Sequence, residues 1–224
     1  MSRRGPAVQY APLIKTISRT YDSRLARLYC TIRFRIINTR ILDAILNYTR
    51  PEGELLVLGC GFGLFDLLAG LRWPKKQIRG IDIDASRIEM ARRSAQQLGL
   101  LHNAFEVQDL SREDIRLGTC DEILMLDVLH HLPRDQHDRL LRSCYDALRP
   151  GGYLIVKDIH RGSRFKLLFT WLLDMLMTGF APVAYRDEDD LAADLRQLGF
   201  SPVLKIRLND VLPYPHIEFV CIKP

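Results

Sequence analysis

Between residues 18 and 48, Leu25, Leu28, Ile32, Ile36, Ile37, Ile41, Leu42 and Ile45 recur at helical spacing, which predicts one or two amphipathic helices. Pro51-Glu52-Gly53 breaks that pattern. Short apolar runs then alternate with helical stretches. Strands are predicted at Leu55–Leu58, Gln77–Ile83, Ala104–Val107, Glu122–Leu126 and Tyr153–Val156, and helices at Leu64–Leu71, Ser86–Leu98 and Asp135–Leu148. Pro150-Gly151-Gly152 reads as a turn before the fifth strand. Strands that are apolar throughout and separated by helices predict a parallel sheet covered on both faces. The end of the chain differs. After a helix at Glu188–Leu198, Val203–Leu208 and Ile217–Ile222 flank Pro213-Tyr214-Pro215 with no helix between them, the pattern of an antiparallel hairpin. The predicted fold is therefore α/β: a doubly wound, mostly parallel seven-stranded sheet with an antiparallel C-terminal hairpin and a helical N-terminal cap.

Composition adds little to this except through charge. A 224-residue chain that is 47% hydrophobic and 26% charged suits a folded domain and excludes a disordered or disulfide-stapled one. Residues 1–50 hold ten Lys/Arg against two Asp, whereas residues 51–224 hold 22 basic against 25 acidic residues. The net charge of +5 thus belongs to the N-terminal segment, a basic arm suited to nucleic acid, an anionic membrane face or an acidic substrate, or simply a solvated helix face. Cys30, Cys60, Cys120, Cys144 and Cys221 are odd in number and lack a CxxC pair, so neither disulfides nor a metal site is expected, and a reducing cytoplasm fits. There is no signal-peptide pattern. The most apolar run, 165–180, is interrupted by Lys166 and Asp174 and is too short to span a bilayer.

The strongest chemical signal is Gly59-Cys60-Gly61-Phe62-Gly63, set between a strand and a helix. Glycines there allow a tight turn and let a ligand approach main-chain N–H groups. Asp82 ends the next strand, 19 residues past Gly63, where a carboxylate can accept from two ribose hydroxyls. A nucleoside-containing cofactor is expected. The dinucleotide fingerprint would need a third glycine at 64, where Leu stands, so NAD is the weaker alternative.

This loop, Gly80-Ile81-Asp82-Ile83, Gln108-Asp109-Leu110, Asp127-Val128-Leu129-His130-His131-Leu132-Pro133 and Leu148-Arg149-Pro150-Gly151-Gly152 occur in one order. Together, over about residues 53–158, they resemble the class I S-adenosylmethionine-dependent methyltransferases, a Rossmann-like group, and most of all the small-molecule and lipid enzymes of the ubiquinone/menaquinone type. The resemblance implies that Gly59, Cys60, Gly61 and Gly63 pass beside the methionine part of the cofactor. It implies that Asp82 holds the ribose, Ile83 lies against the adenine, Asp109 accepts from the adenine amino group, Leu110 covers the ring and Asp127 closes the fourth strand near the sulfonium. Tyr21 and Tyr29 would close over the cofactor. One position departs from the family pattern: Val57 stands where an acidic residue is usual, two before the first glycine, which leaves the cofactor's amino group to Asp127 or to a main-chain carbonyl. Asp109 also reads as a plain helix cap.

Methyl transfer from a sulfonium is a direct displacement, so a base is needed only where the acceptor must lose a proton. His130 and His131 follow the fourth strand, and Asp158 and His160 end the fifth, at the carboxyl edge where such sheets bind ligands. His130, His131 and Asp158 are the catalytic candidates; Tyr185 and His216 are weaker ones, and either histidine also suits a cap on the helix that follows. No amine-clamping Asn/Asp-Pro-Pro-Tyr/Phe motif, Pro-Cys nucleophile or basic-aromatic appendage marks a nucleic-acid acceptor. The segment 165–180 is apolar on nearly all sides, which suits a lid over a hydrophobic or lipid-like acceptor, an interfacial helix, or packing against the N-terminal helices.

The reading is a basic helical cap over 1–50 and a cofactor domain over 51–224 with a substrate-facing insertion near 161–187. The expected function is methyl transfer to oxygen or carbon of a hydrophobic small-molecule or lipid-like acceptor by a cytoplasmic protein. Peripheral membrane contact and a homodimer are left open. The rival readings are a non-catalytic partner subunit that binds S-adenosylmethionine and a nucleic-acid methyltransferase.

Overall fold

Leu55, Leu56, Val57 and Leu58 are all buried, as expected of a strand covered on both faces. The computed structural model describes residues 10–36, 39–159, 186–208 and 216–224. The chain forms two compact units, residues 1–110 and 111–224.

The first unit opens with three helices, α1 (Tyr10–Thr20), α2 (Arg24–Ile36) and α3 (Thr39–Tyr48). It continues as β1 (Glu54–Leu58), α4 (Leu64–Arg72), β2 (Gln77–Asp82), α5 (Ala85–Gln97) and β3 (Asn103–Val107). Its strands run parallel in the order β3-β2-β1, with Val57 opposite Gly80 and Gly80 opposite Phe105. Ile17, Cys30, Ile41, Leu42 and Ile45 bury the inner faces of the helices, and α1 packs on α4 and α5. Asp84 caps α5, accepting from the N–H groups of Ser86 and Arg87 at 2.9 and 3.1 Å. The sequence pattern began the helices at 18. In the structure α1 starts at Tyr10, with Pro12 tolerated in its first turn, where a backbone N–H has no helical partner.

The second unit holds β4 (Cys120–Leu126), a short 3-10 turn (Leu129–His131), α6 (Arg134–Ala147), β5 (Leu148–Ile159), α7 (Glu188–Gln197), β6 (Val203–Leu208) and β7 (His216–Ile222). β4 and β5 are parallel, and β7 joins β5 and β6 antiparallel, in the order β4-β5-β7-β6. The turn predicted at 150–152 lies inside β5. Cys120 pairs with Leu148 and Glu122 with Tyr153, so the register jumps and Pro150-Gly151-Gly152 is absorbed as a bulge. Gly151 takes φ 74° and donates to the Lys223 carbonyl at 2.7 Å. Among the described residues the two units hold seven strands and seven α-helices of the Rossmann-like α/β class, with the expected antiparallel C-terminal hairpin. His160, Tyr185 and the run 165–180, like most of the expected 161–187 insertion, lie outside the described residues.

Candidate cofactor site and catalytic residues

In the first unit the glycine loop turns back on β2. Gly59, Gly61 and Gly63 all take positive φ (68°, 56° and 71°). The Cys60 N–H donates to the Ile81 carbonyl at 3.0 Å, and the Gly63 N–H to the Cys60 carbonyl at 2.9 Å. Two glycines are required by contact as well. A methyl at Gly63 would lie 2.8 Å from the Phe105 ring and 3.0 Å from Ala91 Cβ, and one at Gly80 would lie 2.5 Å from Asp66 Oδ1. At Gly61 there is open space within 4 Å of the same point, so this part of the loop presents bare backbone.

Asp82 sits at the focus of the loop. Its Oδ2 accepts from the Gly61 N–H at 2.8 Å and its Oδ1 from the Asp84 N–H at 3.0 Å. A carboxylate oxygen has two acceptor directions, so each retains one for a ribose hydroxyl. Next to it, Ile83 is 66% exposed, an apolar side chain available to cover a flat ring. Asp109, half-buried, and Leu110, buried, follow β3; no helix starts at Asp109, which removes the helix-cap alternative. The N-terminal helices reach the loop too. The Tyr21 hydroxyl donates to the Phe62 carbonyl at 2.8 Å, the rings of Tyr21 and Tyr29 lie 6.0 and 5.0 Å from that of Phe62, and the Arg87 guanidinium lies 5.5 Å over it.

The sequence reading missed Asp66. It is fully buried on the first turn of α4, and among the described residues no other hydrogen-bonds to its carboxyl oxygens. Burial, with the nearby Asp82 charge adding to it, pushes its carboxyl up to about 8. Its Oδ1 lies over Gly80, the residue paired with Val57 across β1 and β2. A carboxyl absent from β1 is thus present beside the same strand pair, delivered from the helix.

In the second unit, Asp127 directly follows β4 with φ 58°, a conformation Asp adopts more readily than most residues. It is held there from β5. Lys157, fully buried, donates through Nζ to both Asp127 oxygens at 2.6 and 2.8 Å, while the Asp127 N–H donates to the Lys157 carbonyl at 2.8 Å. Lys157 was also missed. The next residue, Asp158, accepts a short hydrogen bond from His130 Nδ1, and both are buried. Successive strand residues point to opposite faces, so β5 holds the β4 turn at two places, Asp127 from one face and His130 from the other. The two candidate histidines thereby separate: His130 is 2% exposed and tied to Asp158, whereas His131 is half-buried with its ring 4.1 Å from that of His130.

His130, Asp158, His137, Arg186, Leu191 and Phe219 line a cavity of about 10 Å³, room for about one water and far too small for an organic acceptor. His137 Nε2–H donates to the Leu132 carbonyl at 3.0 Å, and burial holds that ring below its ordinary value. Glu218, opposite Lys157 across β5 and β7, is fully buried, and burial raises its carboxyl to about 7 against the pull of the Lys157 charge. His216 lies in β7 opposite Ile159.

A glycine loop closed on a strand-end carboxylate, beside an exposed apolar residue, in this fold is an arrangement suited to a nucleoside-containing ligand. Residues 55–152 match the methyltransferase-domain family. The mitochondrial ubiquinone biosynthesis O-methyltransferase of Saccharomyces cerevisiae is 31% identical over 130 residues, 57% of this chain and 39% of that protein. The carboxy-S-adenosyl-L-methionine synthase of Desulforapulum autotrophicum is 30% identical over 122 residues, 54% of this chain and 49% of that protein. The chain therefore spans about two-fifths and about half the length of these two relatives. Among solved structures, the apo form of the S-adenosylmethionine-dependent methyltransferase SibL superposes with a TM-score of 0.70 over 99% of this chain and 70% of that one, at 21% identity, a likeness of fold. Over residues 55–152 the chain is thus similar to the methyltransferase-domain family, and that resemblance points to S-adenosylmethionine as the cofactor.

Proposed function

We propose that the protein moves the methyl group of S-adenosylmethionine to an oxygen or carbon of a hydrophobic small-molecule or lipid-like acceptor. The observation that carries the cofactor half is the Asp82 carboxylate, fixed by two backbone N–H groups with acceptor capacity left for two ribose hydroxyls. The acceptor class is supported by the relatives named as ubiquinone biosynthesis O-methyltransferases.

When bound, S-adenosylmethionine supplies the activated methyl group. The chain's own part is to bind, orient and exclude water. Asp82 takes the ribose, Ile83 and Leu110 cover the adenine, Asp109 accepts from its amino group, and the bare backbone at Gly61 lets the methionine part approach. An acceptor phenol or acidic carbon loses its proton as it gains the methyl. We assign that proton to His131, the more accessible of the two imidazoles, with the buried His130–Asp158 pair fixing the turn on which it sits.

The test has two arms. Calorimetric titration should give binding of S-adenosylmethionine and none of NAD; the reverse would overturn the cofactor assignment. Incubation with methyl-labelled S-adenosylmethionine and a panel of hydrophobic phenols, quinols and unsaturated lipids should move label into the organic phase and release S-adenosylhomocysteine. Label recovered in nucleic acid, or conversion of the cofactor to its carboxylated form, would sink the acceptor assignment.

A further inference from the structure

Helix α2 buries one side through Ala26, Cys30 and Phe34, spaced four residues apart. Its opposite side ought to be polar, yet Leu25 is 77% and Leu28 56% exposed, and Ile32, at the next position of the same stripe, is half-buried. At 100° per residue, Leu25, Leu28 and Ile32 fall within one narrow sector pointing away from Ala26, Cys30 and Phe34. Exposed Arg24 and Arg35 lie along one margin of that sector, and α2 contains no acidic residue. Over residues 10–36, six Lys/Arg stand against the single Asp22. Isolated exposed leucines are ordinary on a protein surface, but two at i and i+3 with a third apolar side chain at i+7, rimmed by arginine, form a patch.

We propose that this outward face of α2 is a docking surface for an anionic lipid bilayer. The leucines enter the boundary between headgroups and acyl chains, and the arginines meet lipid phosphates. Charge decides the occupant. A second copy of this chain would bring the same cluster of arginines against itself, whereas an anionic membrane face supplies the counter-charge and an apolar layer for the leucines. The surface goes beyond methyl transfer and does not rest on it, since its elements take no part in holding the cofactor's ribose or in proton removal.

The test is flotation of the full chain with vesicles of phosphatidylcholine alone and of phosphatidylcholine mixed with phosphatidylglycerol. Binding is expected to the mixed vesicles, to weaken with salt, and to be negligible on phosphatidylcholine alone. Leu25→Ser with Leu28→Ser should lower the partition constant by about tenfold or more, and Arg24→Gln with Arg35→Gln by about tenfold. Leu101→Ser, which alters the 90%-exposed Leu101 in the turn before β3, should leave it unchanged. All four positions on α2 are exposed, so an unchanged melting temperature serves as the folding check. Absence of flotation, equal binding to both vesicle types, or binding undiminished in both double variants would each overturn the proposal. So would a sedimentation shift to dimer that the leucine variant abolishes, because it would assign the face to a second copy.

Discussion

Asp82 carries the cofactor assignment, and it is open to a direct measurement. Truncating it would remove the two acceptors proposed for ribose hydroxyls as well as the acceptor that holds the Gly61 N–H. We expect Asp82→Ala to weaken S-adenosylmethionine binding at least tenfold, on the order of 1.4 kcal/mol or more, by isothermal titration; unchanged affinity would displace the ribose from this carboxylate. This residue was legible in the sequence because its cues are local: a glycine loop with positive φ, then an acid ending the next strand. Asp66 was not legible. On the first turn of an apolar helix an aspartate reads as a favourable charge near the N-terminus, and only the packing of Gly80 and Cys60 shows that it is buried. Ile83 was legible as a neighbour of Asp82, but its exposure, which suits it to cover a ring, appears only in the structure.

Among the elements, β5 governs the second unit. Its apolar run gave a strand over Tyr153–Val156 that stops one residue short of Lys157. The partner of that lysine lies thirty residues earlier in the chain, and nothing in the local pattern names it. Buried ion pairs are costly to break because the surviving charge is left without compensation. Lys157→Met should therefore lower unfolding free energy by about 3–5 kcal/mol in urea denaturation. It should also release the positive-φ turn at Asp127, and adding Asp127→Asn should recover part of the loss. Additive losses in the double variant would mean that the two side chains act independently. The β5 bulge eluded the sequence for a similar reason. Pro-Gly-Gly is a turn signal, and only pairing with β4 and the Lys223 carbonyl keeps those residues in the sheet.

At the scale of the whole molecule, two buried carboxyls that hold their protons make stability depend on pH in an unusual direction. Asp66, raised from 3.8 to about 8, and Glu218, raised from 4.5 to about 7, bind protons in the folded state that the unfolded chain releases at lower pH. Their contribution to stability is complete below about pH 4 and is lost as pH rises through 7 and 8. Melting temperature should consequently fall between about pH 4 and pH 8, the window between the unfolded and folded values of these two groups. Asp66→Asn, neutral at every pH, should flatten that fall up to about pH 8, and Glu218→Gln its part below about pH 7. A profile that both variants leave unaltered would show that these carboxyls ionise without cost. The alternating pattern of the chain was enough to give the class of fold, since each strand and helix carries its own periodicity. What it could not carry were the long-range pairings that place charges inside.

The clamp exerted by β5 has a consequence for how the protein can vary. Because Lys157 and Asp158 act from opposite faces of one strand, the parity of β5 binds both interactions into a single constraint. An insertion or deletion of one residue between the bulge and position 157 would turn an ammonium toward the histidine and a carboxylate toward Asp127, failing at both ends together. Length changes in this strand are therefore admissible only in pairs or inside the bulge, which makes Pro150-Gly151-Gly152 the place where the strand can take up an odd residue without exchanging its faces.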